Sequence, residues 1–174
     1  MMHFLDFDRT LFDTEAFFAF LGERFNEPLP ETDIERVQLA ARLASRVASG
    51  GLTLAPGELA PFVYADVPEF LRALGNEAVI VTYGDEALQR MKIESALAGI
   101  PRVSAIYVGE SRKGPHLARR LAISSTRALF VDDTPLELES VAAHCPEVSL
   151  YEMRRDGEVG DGRWPVIRSL YDLP

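Results

Sequence analysis

Five short, nearly unbroken apolar runs, each closed by a polar or turn residue, constrain the fold of this 174-residue chain more than any other feature. They are Met1-Met2-His3-Phe4-Leu5, Ala78-Val79-Ile80-Val81, Ala105-Ile106-Tyr107-Val108, Ala128-Leu129-Phe130-Val131 and Val148-Ser149-Leu150-Tyr151. Strands open to solvent on one side alternate apolar and polar residues. These runs do not, so they suit strands covered on both faces, as in a parallel sheet. Helical segments are expected over residues 85–98, 115–122 and 135–144, between the later runs. Strand-helix repetition of this kind implies an α/β core, a doubly wound (Rossmann-like) parallel five-stranded sheet.

Between the first two runs the pattern changes. Residues 15–62 show no convincing strand. A helix over residues 15–25 carries Phe17, Phe18, Leu21 and Phe25. Thr32 followed by Glu35 is a capping-box signature. Ile34, Val37, Ala41, Ala44 and Ala48 then make an apolar helical stripe, stopped by Gly50-Gly51. Pro56-Gly57 and Pro61 punctuate the return, and Pro68 opens the helix that leads into the second strand. The expectation is a small helical insert over residues 15–62, lying over the end of the first strand, with residues 1–14 and 63–174 forming the core. The tail, residues 152–174, carries no functional signal, and Trp164 and Tyr171 are expected to pack back on the core.

A chain of this length buries roughly 70% of its unfolded surface, so neither a disulfide nor a metal is needed merely to fold it. The single cysteine, Cys145, excludes a disulfide framework and a Cys-rich zinc site, and reads as a small buried or half-buried residue near a helix end. A formal net charge of −9 argues against a nucleic-acid groove. The basic clusters Arg112, Lys113, Arg119, Arg120 and Arg154, Arg155, Arg163 read as solvated faces. A small anionic substrate remains compatible with the acidic balance, because a bound cation inverts the local field. No apolar run approaches the ~20 residues that span a bilayer, and the N-terminus lacks a signal-peptide pattern. The expectation is a soluble cytoplasmic protein.

Polar residues gather where the strands end, which is where open α/β sheets bind ligands. The first run ends in Asp6-Phe7-Asp8-Arg9-Thr10, and carboxylates at i and i+2 of a strand point the same way. Like charges this close repel, so they call for a cation between them. The second run ends in Thr82-Tyr83-Gly84, Lys113 follows the third, and the fourth ends in Asp132-Asp133 with Glu137 one helical turn beyond.

Asp6-x-Asp8-x-Thr10, Thr82, Lys113 and Asp132-Asp133 resemble, in order, the four motifs of the haloacid dehalogenase (HAD) superfamily. The resemblance spans residues 1–14 and 63–151, and the helical insert stands where that superfamily places its C1 cap. It implies a Mg²⁺-dependent phosphomonoester hydrolase (a phosphatase) working through an aspartyl-phosphate. Asp6 would be the nucleophile and Asp8 the general acid and base. Mg²⁺ would be held by Asp6, the Asp8 carbonyl and Asp133, with Asp132 as an outer or alternative ligand. Thr82, with Tyr83 and Gly84 beside it, would meet the phosphoryl group, and Lys113 would neutralise charge on it. Glu137 matches an outer acidic position that contacts metal-bound water. It also fits a capping box with Thr134, with Pro135 at the first helical position. Arg9 replaces a frequent glycine and would contact substrate, solvent or a carboxylate.

The resemblance leaves other chemistries to weigh. The dehalogenase branch lacks a carboxylate at the position of Asp8. A phosphonate-cleaving relative needs a cap lysine, and no lysine precedes Lys92. A sugar-phosphate mutase would take a His or Lys from the cap, whose cations here are Arg24, Arg36, Arg42 and Arg46. A phosphotransferase or mutase, and a phosphate-binding regulatory protein that has shed turnover, remain the alternatives. The physiological substrate, the cap residues that select it and the oligomeric state are not written in the sequence.

Overall fold

The computed structural model describes residues 1–25, 28–109, 111–123, 127–160 and 162–174. The side chain of Phe25, expected on the apolar face of the first helix, lies outside the described set. Among the described residues six strands form one sheet: β1 (Met2–Leu5), β2 (Ala78–Tyr83), β3 (Val103–Val108), β4 (Ala128–Asp132), β5 (Ser149–Met153) and β6 (Val166–Ile167). Their order is β3-β2-β1-β4-β5-β6, and all neighbours are parallel. The expected five strands therefore become six. The extra one is a two-residue pairing of the tail on β5, too short to leave a periodic pattern in the sequence.

The chain runs outward from β1 through β2 to β3, then crosses back to place β4 on the other side of β1. The strand order reverses there, and a crevice opens at the carboxyl ends of β1 and β4. The unbroken apolar runs have a direct cause. Leu5, Ile80, Leu129 and Val131 enter one core with Leu71 of α3 (Val67–Ala73) and Leu88 and Ile93 of α4 (Glu86–Ala96). Phe4, Val79, Val81 and Phe130 enter the other with Leu117 of α5 (Lys113–Leu121) and Val141 of α6 (Pro135–His144). Both faces of the central strands are covered, and each large side chain so buried contributes about 1.5–3 kcal/mol.

Between β1 and β2 lie α1 (Thr14–Phe25) and α2 (Asp33–Ala48). The capping box forms: Thr32 Oγ1 accepts from Glu35 N, and Glu35 Oε2 accepts from Thr32 N at 3.0 Å. The stripe expected to bury α2 is not the one that does. Ile34 and Val37 are 72% and 69% exposed, whereas Leu39 and Leu43 are buried. A 3.6-residue period accommodates two apolar stripes on one helix, and the longer leucine side chains take the core. The segments entering and leaving this helical pair run side by side, with Asp13 N donating to Phe62 O and Tyr64 N to Leu11 O. Phe12 stacks on Phe7 at 4.9 Å and meets Phe17 of α1 edge-on at 5.3 Å.

Trp164 packs partly buried against the second core. Tyr171 does not return to the core as expected. It is 57% exposed, because Leu170 beside it takes the buried position and turns Tyr171 outward, where its hydroxyl donates to Glu69 at 2.6 Å.

The two helices on the second face approach most closely at Gly114, where an added Cβ would lie 2.2 Å from the Ser140 carbonyl oxygen. Gly114→Ala is expected to force α5 and α6 apart and to destabilise the fold by about 1–3 kcal/mol. Thermal unfolding would read this as a loss of roughly 2–4 °C per kcal/mol. An unchanged melting temperature would mean that the helices separate freely.

Candidate functional site

Asp6 follows β1 directly and extends its pairing, with its N–H donating to Val131 O at 2.9 Å. The chain then turns tightly, because Leu11 N and Phe12 N both donate to Phe7 O. The turn puts Arg9 at φ 61, in the left-handed region. A side chain there costs about 1–2 kcal/mol, which explains why glycine suits this position. The turn carries Asp6, Asp8 and Arg9 to a cavity of about 480 Å³, which Thr82, Tyr83, Arg112, Lys113, Asp133 and Glu137 also line. Of the residues singled out from sequence, Asp132 and Gly84 do not line it. Asp132 lies fully buried beneath, and Gly84, at φ 128, packs beside Gln89.

Lys113 is the buried cation of this pocket. Its ammonium contacts Asp6 Oδ1 and lies 2.7 Å from Asp132 Oδ2. Asp132 spends its other oxygen on Thr134 N at 2.8 Å, so both its oxygens are engaged. Asp6 keeps Oδ2 buried and without a hydrogen-bond partner. Burial drives the Asp6 carboxyl well above its ordinary range, and Asp132 and Asp133 push the same way against Lys113. Burial likewise lifts Asp132, to about 6, and raises Asp133.

The donor set fits a hard cation. Single oxygens of Asp6, Asp132 and Asp133 lie within 4.8 Å of one another. With Asp132 committed to Lys113 and Thr134, the oxygens open to an ion are the orphaned Asp6 Oδ2 and those of Asp133. Asp133 is held loosely, by Arg9 Nε at 3.4 Å and the Thr134 hydroxyl at 3.2 Å. Carboxylates few in number beside an open pocket suit an ion that keeps several waters.

Asp8 has a different neighbourhood, and Lys92 is the residue that sequence reasoning missed. On sequence grounds Lys92 falls within the helix expected over residues 85–98 and carries no functional reading. In the fold it is buried, its ammonium meets Asp8 Oδ1, and it lies within 5.3–5.6 Å of the ring centroids of Phe7, Phe12 and Phe17. Thr14 Oγ1 donates to Asp8 Oδ1 at 2.8 Å, and Gln89 Nε2 to Oδ2 at 3.0 Å. Burial alone would raise Asp8, but Lys92 and these hydrogen bonds outweigh it and hold the carboxyl below its ordinary value. The available signal was spacing: Gln89 and Lys92 stand three apart, on one helical face.

Thr82, next to last in β2, has its hydroxyl buried, unpartnered and on the pocket wall. Glu137 does not complete a capping box with Thr134, whose side chain caps nothing. Its carboxylate instead accepts from Lys113 N and Arg112 Nη1, both at 2.9 Å, and so caps α5 rather than its own helix. The capping pattern was right for the residue types, but a closer donor on a neighbouring element won. The tail also reaches the site. Arg155 donates to Thr10 O at 3.0 Å and to Asp66 at 2.9 Å, and Arg154 donates to Asp133 O at 3.2 Å. Neither arginine is the solvated charge expected of it.

Two outcomes follow from these charges. Lys92→Met strands a carboxylate whose side chain is 27% exposed, and should cost about 3 kcal/mol, the lower end for a broken buried pair. Pairing it with Asp8→Asn should recover most of that in denaturant unfolding; additive losses would show that the pair is unimportant. Asp6, Asp132 and Asp133 hold protons to higher pH in the folded chain than in the unfolded one. The folded state thus binds more protons between about pH 4 and 6, and stability falls as pH rises through that window. Without divalent cations, the melting temperature at about pH 7 should lie below that at about pH 5, and added divalent cation should recover it at the higher pH. Equal melting at both, unmoved by cation, would mean that Lys113 balances the cluster alone.

No protein-family model matches this sequence, and no curated protein does. Solved structures resemble it along nearly its whole length. The UTR4 protein of Saccharomyces cerevisiae aligns with a TM-score of 0.58 at 16% identity, over 99% of both chains. YfnB of Bacillus subtilis, a proposed HAD-hydrolase solved with bound magnesium, gives 0.60 at 17% identity, over 98% of this chain and 95% of its own. A haloacid dehalogenase-like family hydrolase of Xanthomonas campestris gives 0.55 at 17% identity, over 95% of this chain and 88% of its own. At these identities the likeness is one of fold, and it agrees with the order in which Asp6, Thr82, Lys113 and Asp133 reach one pocket: this chain has the haloacid dehalogenase-like α/β fold.

Proposed function

We propose that the chain hydrolyses phosphomonoesters of small metabolites or nucleotides, with Asp6 as nucleophile. The observation that carries this reading is the state of Asp6. One carboxylate oxygen is held by Lys113, and the other is buried without a partner at a pocket that Asp8 also lines. A carboxylate so placed is oriented to attack, and Lys113 offsets the charge that would repel a phosphate.

The reaction would run as two displacements. Asp6 takes the phosphoryl group while Asp8 hands a proton to the departing oxygen; Asp8 then takes a proton from the water that frees phosphate. The first step asks Asp8 to carry a proton and the second to accept one, and the Lys92 ion pair favours the second. Thr82 supplies a free hydroxyl to a phosphoryl oxygen, and Lys113 neutralises charge on the transferring group. Asp6 and Asp133, with the Asp8 carbonyl, would hold Mg²⁺, which supplies further charge neutralisation when bound. The magnesium-bound form of YfnB supports that choice of ion. Residues 15–62 would act as a C1-type cap over a core of residues 1–14 and 63–174. The side-by-side linkers around residues 11–13 and 62–64 give it a two-stranded attachment. No helix among the described residues is long and apolar enough to cross a membrane; a cytoplasmic site of action is part of the proposal.

Phosphate release from an aryl phosphate tests the reading. Release should require Mg²⁺, stop with chelator and fall at least about 10³-fold in Asp6→Asn. Beryllofluoride should form an adduct on Asp6 in the wild type. Release that survives Asp6→Asn would assign the chemistry elsewhere, and neither release nor adduct would leave a fold kept for binding.

A further inference from the structure

The stripe of α2 that the core does not use faces a second cavity, of about 440 Å³, which joins the phosphate pocket: Asp8, Arg9 and Tyr83 line both. Val37, Ala40, Ala41 and Ala44 of α2 form one wall and Phe17 and Phe18 of α1 another, so the surface is mostly carbon. Its charged groups have partners, Arg9 with Asp133 at 3.4 Å among them, although Arg36 Nε stays a buried donor without one. Lys92 is paired with Asp8, Arg36 with Glu15 at 3.0 Å, and Asp85 caps α4 by accepting from Leu88 N at 2.9 Å. Gln89 gives both an N–H to Asp8 and another contact to Tyr83 O, leaving its buried Oε1 as an acceptor without a partner.

We propose that this compartment receives the leaving group of the substrate, and that this group is an alkyl or aryl chain rather than a hydroxyl-rich one. The proposal rests on the phosphomonoester reading. The departing oxygen must lie against Asp8 to take its proton, and Asp8 stands at the junction of the two cavities, so the rest of the leaving group extends into the second. Carbon walls reward hydrocarbon burial in proportion to area. A polyhydroxylated group would lose its water there and find few polar partners, the buried Gln89 Oε1 and Arg36 Nε and the already engaged carboxylates of Glu15 and Asp85. Exposed Val37 and Ala41 gain a purpose that folding does not give them: small side chains leave the space and keep it apolar.

Non-hydrolysable phosphonates test the compartment separately from turnover. Binding of methyl-, propyl- and pentylphosphonate and of 2,3-dihydroxypropylphosphonate to the Mg²⁺-loaded protein would be measured by calorimetry. Affinity should rise about fourfold per methylene, and dihydroxypropylphosphonate should bind at least about tenfold more weakly than propylphosphonate. Ala41→Phe, which fills the cavity, and Val37→Ser, an exposed change that spares the core, should both flatten the series. A flat wild-type series, tighter binding of the dihydroxy compound or no binding at all would overturn the proposal. Phosphate release from pentyl phosphate and glycerol 3-phosphate is followed in parallel. A binding gradient with no release from either ester keeps the apolar compartment and overturns the hydrolase reading. Release without a gradient does the reverse.

Discussion

The Lys113 ammonium, closed between Asp6 and Asp132, is the contact on which the rest of the site depends. Adjacent parallel strands β1 and β4 end side by side, so the carboxylates of Asp6 and Asp132 are forced together where both are buried. One ammonium against Asp6, Asp132 and Asp133 leaves the cluster negative, and burial raises the proton affinity of each carboxyl. Getting Lys113 there needs α5 to begin at the right place. Glu137 accepts the Lys113 N–H, and Gly114 lets the helix settle onto α6.

A second ion pair gives the neighbouring carboxylate the opposite character. Asp8 stands two residues from Asp6, but Lys92, Thr14 and Gln89 stabilise its charged form. Two carboxyls on one turn thus differ in proton affinity because each has its own lysine and its own solvation. Divergent environments of this kind push paired carboxyls toward opposite protonation states, which suits the two roles proposed for them. Both lysines of the chain are used for this, and both are buried. The three phenyl rings around Lys92 come from the Asp6 turn and from α1, so the same cation also joins α1 to the site.

The C-terminal tail has a structural task that its composition does not announce. Arg155 bridges the Thr10 carbonyl and the Asp66 carboxylate, while Ser169 and the Leu170 N–H also donate to Asp66. The turn that carries Asp8 is therefore tied to the segment just before α3 through residues about 90 and 145 positions away along the chain. Glu152, fully buried, pairs with Arg154, which also donates to the Asp133 carbonyl.

What the sequence determined by itself was whatever depends on local pattern. Unbroken apolar runs specified buried parallel strands, their polar ends specified where the site would be, and the order Asp6-x-Asp8, Thr82, Lys113, Asp133 specified which residues would meet. Thr32 and Glu35 were legible as a cap because both partners lie within one turn. Tertiary structure decided what depends on competition between distant partners. Glu137 left its own helix for the start of α5, Lys92 became the partner of Asp8 across 84 residues, and β6 formed only because β5 offered an edge. It also chose which of two apolar stripes α2 would bury. Periodicity records that a face is apolar, but only the packed neighbours determine whether that face meets the core or a cavity.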